Sequence, residues 1–232
     1  RLADLERNTR DLQESVMSIR MIPMSVVFSR FPRMVRDLTA RLGKKVDLIT
    51  QGEKTELDKR MIEKITDPLT HLLRNSVDHG IETVAERLAA GKPEQGTVTL
   101  SASHQGGSIV IEVRDDGRGL SREKILAKAR ALGLAADEQL SDQDVWQLIF
   151  TPGFSTAQDV TDVSGRGVGM DVVKRNITEL GGSVEIDSVT GLGLRVAVRL
   201  PLTLTIMDGM SVTVDDEVYI FPLSSWIESL QV

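Results

Sequence analysis

The sequence holds no cysteine. That excludes a disulfide framework and a thiolate metal site, and it suits a reducing compartment. Aromatic residues make up only 3% of the 232 positions, so the core must be built from Leu, Val, Ile, Met and Ala. No apolar run approaches the roughly 20 residues of a membrane helix, and no signal peptide is visible. Positive charge is not in excess: 28 Lys and Arg stand against 34 Asp and Glu, a net charge of −6. That argues against a general nucleic-acid binder, which carries a basic face. The chain opens on "RLADLERNTR" without Met and stops inside a strand-like segment, so the expectation is a piece of something longer.

What is present has a clear order. Residues 1–22 read as a helix, because Leu5, Leu12 and Ile19 repeat every seven positions, as do Leu2, Thr9 and Val16. An intersubunit bundle and a surface helix packed on its own domain both satisfy that pattern. Pro23 ends or kinks it. A second helix, Phe31 to Gly43, precedes an alternating strand "KKVDLIT". A long helix from about Asp58 to His79 should bend near Pro68 and stop at Gly80. Helices over Glu82–Ala90, Ser121–Leu132, Ser141–Phe150 and Val168–Leu180 alternate with hairpins over 96–117 and 183–202, and a further hairpin follows Met207. The fold class is therefore α+β, a two-layer sandwich of a mostly antiparallel sheet with helices on one face, preceded by a long bundle helix.

The chemistry concentrates in "HLLRNSVDHG", residues 71–80. His71, Arg74, Asn75, Asp78 and His79 fall within an arc of about 140° on a helix. Ile62, Ile65, Leu69, Leu72, Leu73 and Val77 take the other side. Three glycine-bearing segments follow. "DDGRG", with Asp115, Gly117 and Gly119, is either a hairpin-end turn or a pocket in which a carboxylate accepts from an exocyclic amine. "GRGVGMDVV" sets Gly165, Gly167 and Gly169 at alternate positions running into a helix, an arrangement that turns N–H groups towards an anion. It has neither a P-loop lysine nor a dinucleotide fingerprint. "TGLGLR" reads alone as a β-turn. Between the first two lies "FTPGFSTA", where Phe150 and Phe154, two of only five phenylalanines, either anchor a long loop or dock a mobile lid.

Taken in order, these segments resemble the ATP-binding domain shared by histidine kinases, type II topoisomerases, heat-shock protein 90 and mismatch-repair ATPases. Within that superfamily, "LTHLLRNSVDHGIE", "DDGRGL", "FTPGFSTA", "DVSGRGVGMDVVKRNI" and "LPLTLTIMDGMSV" resemble the CheA family of chemotaxis histidine kinases, as does "SIRMIPMSVVFSRFPRMVRDL". The resemblance covers practically the whole chain. It implies the last helix of a dimerisation domain and a linker over 1–32, an ATP-binding catalytic domain over 33–206, and the start of an SH3-like, CheW-like regulatory domain over 207–232.

The resemblance also implies roles. Asp115 should accept from the adenine amino group, with Gly117 and Gly119 making room for the base. Asn75 should offer its oxygen to Mg²⁺. His71 should act as a base or help hold the metal, at a position where the ATPase relatives typically carry Glu. Arg74, His79 and Lys124 could reach phosphate or ribose, and Asp78 would orient Arg74 or His79. Gly165, Gly167 and Gly169, with Ser164, Arg166, Val168 and Met170 beside them, should cradle the phosphates. One departure is Leu194, which stands where the last glycine turn usually carries threonine.

The expected cofactors are ATP and Mg²⁺. The expected partners are a second copy of the chain, a separate phosphotransfer domain, a CheW-like coupling protein with chemoreceptors, and response regulators, at the cytoplasmic face of receptor arrays. None of the three histidines, His71, His79 and His104, stands in a phospho-acceptor context, so the acceptor should lie elsewhere. An ATP-hydrolysing clamp is opposed by His71 in place of Glu, and a nucleotide-binding scaffold by the presence of every box.

Overall fold

The computed structural model describes residues 4, 5, 8, 21–154 and 169–202, and the backbone of 209–214 and 217–222. Of the amphipathic stretch 1–22, residues 4, 5 and 8 are helical; the rest of the bundle helix up to residue 20, and any dimer contact through it, lies outside the described residues. The end of that stretch departs from expectation. Met21–Pro23 is a strand, β1, paired antiparallel with β3, Glu56–Asp58. Pro23 lies at the strand's end, where a missing N–H costs little. Met24, Val27 and Phe28, in and just before α1 (Ser25–Phe28), are buried with Phe31 of α2 (Phe31–Leu42) in the same core as the main sheet. The stretch read as linker therefore contributes to the packed body. Gly43 stops α2 with φ of 64°, the left-handed conformation that glycine adopts freely.

The main sheet has five strands in the order β2-β4-β5-β7-β6: Val46–Gln51, Gly96–Gln105, Ser108–Asp115, Gly193–Pro201 and Ser183–Val189. Only β2 and β4 run parallel. A parallel pair needs a long crossover, and residues 52–95 supply it. That crossover contains α3 (Lys59–Asn75), which carries the polar cluster. Alternation along the strands sends Val98, Leu100, Ile109, Ile111, Val113, Val196 and Val198 to one face, where they join the helices in one aliphatic core. The opposite face carries Glu112, Asp187 and Arg195, joined by ion pairs. The protein is thus the two-layer α+β sandwich expected.

Helix α3 buries Met61, Ile62, Ile65, Pro68, Leu69, Leu72 and Leu73, and runs unbroken through Pro68. It begins at Asp58, whose side chain accepts from Arg60 N–H. Its last turn is not α-helical. Ser76–Gly80 forms a single π turn, closed by Ile81 N–H donating to Ser76 C=O at 2.8 Å. Then follow α4 (Val84–Ala89), α5 (Arg122–Ala131), α6 (Asp142–Gln147) with a 3₁₀ turn over Leu148–Phe150, and α7 (Met170–Glu179). The reciprocal capping box belongs to Thr83 and Glu86 of α4. At α6, Ser141 Oγ caps the Asp144 N–H, but the Asp144 carboxylate accepts from the serine hydroxyl instead of reaching back to the backbone. Strands β8 (Gly209–Val214) and β9 (Glu217–Pro222) form the late hairpin.

Candidate nucleotide site

Asp115 ends the middle strand of the sheet, opposite Val98 on one side and Leu194 on the other. Strand alternation puts its side chain on the face of Ile109, Ile111 and Val113, so a carboxylate is only 4% exposed at the edge of an aliphatic core. Gly117 N–H donates to Oδ1 at 2.9 Å. Oδ2 is buried and has no hydrogen-bond partner among the described residues. Burial pushes the Asp115 carboxyl above its ordinary range; the Gly117 amide, Ser76 and the Leu194 amide offset part of that, and the neighbouring Asp116 charge adds to it. A buried oxygen with lone pairs to spare is costly unless something donates to it. A hydrogen-bond donor brought by a ligand would meet that need.

The glycines of this segment meet backbone of the same chain. A Cβ at Gly117 would lie 2.0 Å from Gly80 O, and one at Gly119, where φ is 67°, would lie 2.6 Å from Val189 O. Both positions let backbones of the same chain meet. Arg118 N–H donates to Gly80 C=O, and Gly191 N–H to Arg118 C=O. Leu120 N–H donates to Ser188 Oγ, and Thr190 Oγ1 to Leu120 C=O. The loop after Asp115 is therefore clamped between the π turn and the β6–β7 turn. Leu194 packs its side chain against the core, while the hydroxyls at this turn come from Ser188 and Thr190.

On α3, His71, Arg74 and Asn75 are half-buried; His71 and Arg74 stand four and one residues before the helix end, and Asn75 is its last residue. Asn75 Nδ2 donates to Met170 Sδ at 3.4 Å, which ties the end of α3 to the first residue of α7. Gly169 caps α7 with extended backbone. Ser164, Gly165, Arg166, Gly167 and Val168 lie outside the described residues, as does the loop 155–163. The π turn changes the geometry beyond Asn75: His79 is exposed, and Asp78 Oδ2 lies 3.8 Å from His79 Nε2. Lys124 is exposed in the first turn of α5. Phe150 and Phe154 are both buried in the core, with Lys174 Nζ and Lys128 Nζ over their rings. Both belong to the main core cluster.

Burial lowers the His71 pKa below 6.5, and Arg74 and His79 lower it further. The neutral imidazole is favoured, a form able to accept a proton. The sign of its linkage follows. The unfolded chain binds this proton more readily than the folded one, so its stabilisation is complete above pH 6.5 and is lost as pH falls through the folded value. His71→Gln should therefore flatten the fall in thermal stability between about pH 7.5 and about pH 5.5. Melting curves check this, and an unchanged acid slope would refute it.

Sequence reasoning missed two groups. Lys44 donates from Nζ to the carbonyls of Val77 and Asp78, covering the π turn, and burial lowers its pKa. Glu82, Arg87, Lys92 and Asp116 form an ion cluster beneath the Asp115 loop. Nothing local marks Glu82, Arg87 and Lys92, since "GIETVAERLAAGKP" reads as an ordinary solvated helix.

Residues 64–204 match the family described as histidine kinase-, DNA gyrase B- and HSP90-like ATPase. The chain is 66% identical over 230 residues to chemotaxis protein CheA of Klebsiella aerogenes, covering 99% of this chain and 35% of that protein. It is 64% identical to chemotaxis protein CheA of Salmonella typhimurium, with 99% and 34% covered. For the same-named protein of Rhizobium meliloti the identity is 52%, with 99% and 30% covered. The chain thus spans about a third of the length of the curated relatives it matches. No described helix is long and apolar enough to cross a membrane. Over more than half its length the chain matches, and it belongs to, the histidine kinase-, DNA gyrase B- and HSP90-like ATPase family.

Proposed function

We propose that the chain is the catalytic core of a chemotaxis histidine kinase, which binds Mg-ATP and delivers the γ-phosphoryl group to a histidine on a separate phosphotransfer domain. The observation that carries it is the buried Oδ2 of Asp115, unpartnered among the described residues, set beside a helix end bearing His71 and Asn75. Asp115 would select the base. Asn75 suits Mg²⁺, a hard cation that favours oxygen ligands and triphosphate. The imidazole of His71 does not, and its lowered pKa suits a base. When bound, Mg²⁺ would neutralise charge on the phosphates. Arg74, His79 and Lys124 would meet phosphate or ribose, and residues 164–170 would supply backbone amides.

Transfer to a histidine, not water, is supported by the CheA relatives and by the absence of Glu at position 71. His104 is exposed, with Nε2 3.3 Å from Glu56 O, and has no acceptor setting. The same reading includes a homodimer through the amino-terminal helix, a CheW-like coupling protein and chemoreceptors at the carboxy-terminal strands, response regulators downstream, and a cytoplasmic location. The test is γ-labelled ATP with Mg²⁺ and the isolated phosphotransfer domain of a CheA relative. Label should appear on that domain and not without Mg²⁺. Fast release of free phosphate, independent of the acceptor, would instead establish the clamp reading.

A further inference from the structure

We propose that Arg87 and Lys92 are positioning residues for nucleobase recognition, acting through the peptides that follow Asp115. This rests on the nucleotide reading above. Arg87 is 1% exposed, yet every hydrogen bond it makes has a direction that matters. Nε donates to Pro93 C=O at 2.7 Å, Nη1 to Glu82 Oε1 at 3.0 Å and to Asp116 C=O at 3.2 Å, and Nη2 to Asp116 Oδ2 at 3.2 Å. Lys92 Nζ donates to Glu82 Oε2 at 2.7 Å, to Asp116 C=O at 3.0 Å and to Gly117 C=O at 2.8 Å. Asp116 Oδ1 accepts from Thr97 N–H at 2.8 Å.

The consequence comes from peptide planarity. Asp116 C=O and Gly117 N–H belong to one peptide unit and point in opposite directions. Two cations holding that carbonyl fix where the amide points, which is at Asp115 Oδ1, 2.9 Å away. They also polarise the unit and strengthen its donor. The next peptide repeats the arrangement: Lys92 holds Gly117 C=O, and the Arg118 N–H of the same unit donates to Gly80 C=O at 2.9 Å. One ammonium thus sets two consecutive peptides. The first occupies one oxygen of Asp115, and the second locks the loop to the end of the site helix. Oδ2 is thereby the oxygen left for ligand. Two carboxylates balance the two cations, so the cluster orients the loop without adding net charge near Asp115.

The experiment is isothermal titration of the 232-residue chain with ATP, GTP and inorganic tripolyphosphate. Lys92→Met should weaken ATP about tenfold and narrow the preference for ATP over GTP by a similar factor, while tripolyphosphate, which does not use Asp115, changes less than about twofold. Lys92→Arg, which keeps charge and donors, should recover part of the preference. If Lys92→Met does not melt cooperatively, the same three titrations on Lys92→Gln decide. A folded Met or Gln variant with the parent's ATP-over-GTP preference overturns the proposal, as does equal weakening of all three ligands. Asp115→Asn separates the two levels: ATP affinity indifferent to it overturns the nucleotide reading, whereas sensitivity to it with indifference to Lys92 overturns this inference alone.

Discussion

Asp115→Asn should lower ATP affinity by roughly a hundredfold and collapse the discrimination between ATP and GTP, without lowering the stability of the unliganded chain at neutral pH. A hydrogen bond to a charged acceptor contributes about 1.5–3 kcal/mol, the upper end of which is roughly a hundredfold in affinity. The direction of the specificity change follows from which oxygen is already engaged. Gly117 N–H donates to Oδ1, so the carboxamide keeps its oxygen there and turns its NH₂ to the place of Oδ2. That NH₂ faces an adenine amino group donor to donor, but it can donate to the carbonyl of guanine. The stability prediction has the opposite sign to the affinity prediction. The folded Asp115 pKa is raised, chiefly by burial, so its contribution is present below the unfolded value of 3.8 and is lost as pH rises through the folded value. Burial opposes the charged form of Asp115, and Asn cannot take that charge. Titration with both nucleotides and a melting curve check the two parts, and ATP affinity within threefold of the parent would sink the assignment of Asp115.

Gly193→Ala should unfold the chain about 10 °C earlier. Gly193 has φ of 127°, and a Cβ there would lie 1.9 Å from Asp115 O and 2.9 Å from Asp115 C. Neither is the end of a flexible side chain, so the clash is relieved only by moving β7 away from β5, where Leu194 is in register with Asp115. Backbone strain of this kind costs about 1–3 kcal/mol alone, and the lost pairing brings the total above about 3 kcal/mol. In a domain of this size each kcal/mol lowers the midpoint by about 2–4 °C. Gly191→Ala is the control. Its φ is 82°, but nothing lies within 4 Å of the added Cβ, so it carries strain without collision. Equal losses in the two variants would show that conformation, not contact, governs this turn.

Much of this arrangement could be read from the sequence because it depends on periodicity and on rare residues. The apolar stripe Ile62, Ile65, Leu69, Leu72, Leu73 and Val77 was visible at helical spacing, and all six are buried. Both main hairpins announced themselves by alternation and by glycine turns. What was hidden depends on partners distant in the chain. The strand Met21–Pro23 exists because Glu56–Asp58 lies beside it, and three residues carry no periodicity of their own. The π turn adds one residue to a helix that local propensity would simply continue to Gly80. Arg87 looks like a solvated helix residue until Glu82 and Asp116 close around it. Gly117 and Gly119 stood out as glycines, but which backbone they admit is decided by Gly80 and Val189, far away in sequence.

The clamping of the 116–120 loop between residue 80 and residues 188–191 carries a thermodynamic consequence. Three stretches that are remote along the chain must all be in place before the carboxylate of Asp115 is presented, so a piece lacking any one of them cannot hold the recognition geometry. Occupancy and folding are then one equilibrium. A ligand that engages only the assembled form adds about 2.7 kcal/mol to global stability at a hundred times its dissociation constant. The nucleotide supply around the chain would therefore set its resistance to heat and proteolysis as well as its state of loading.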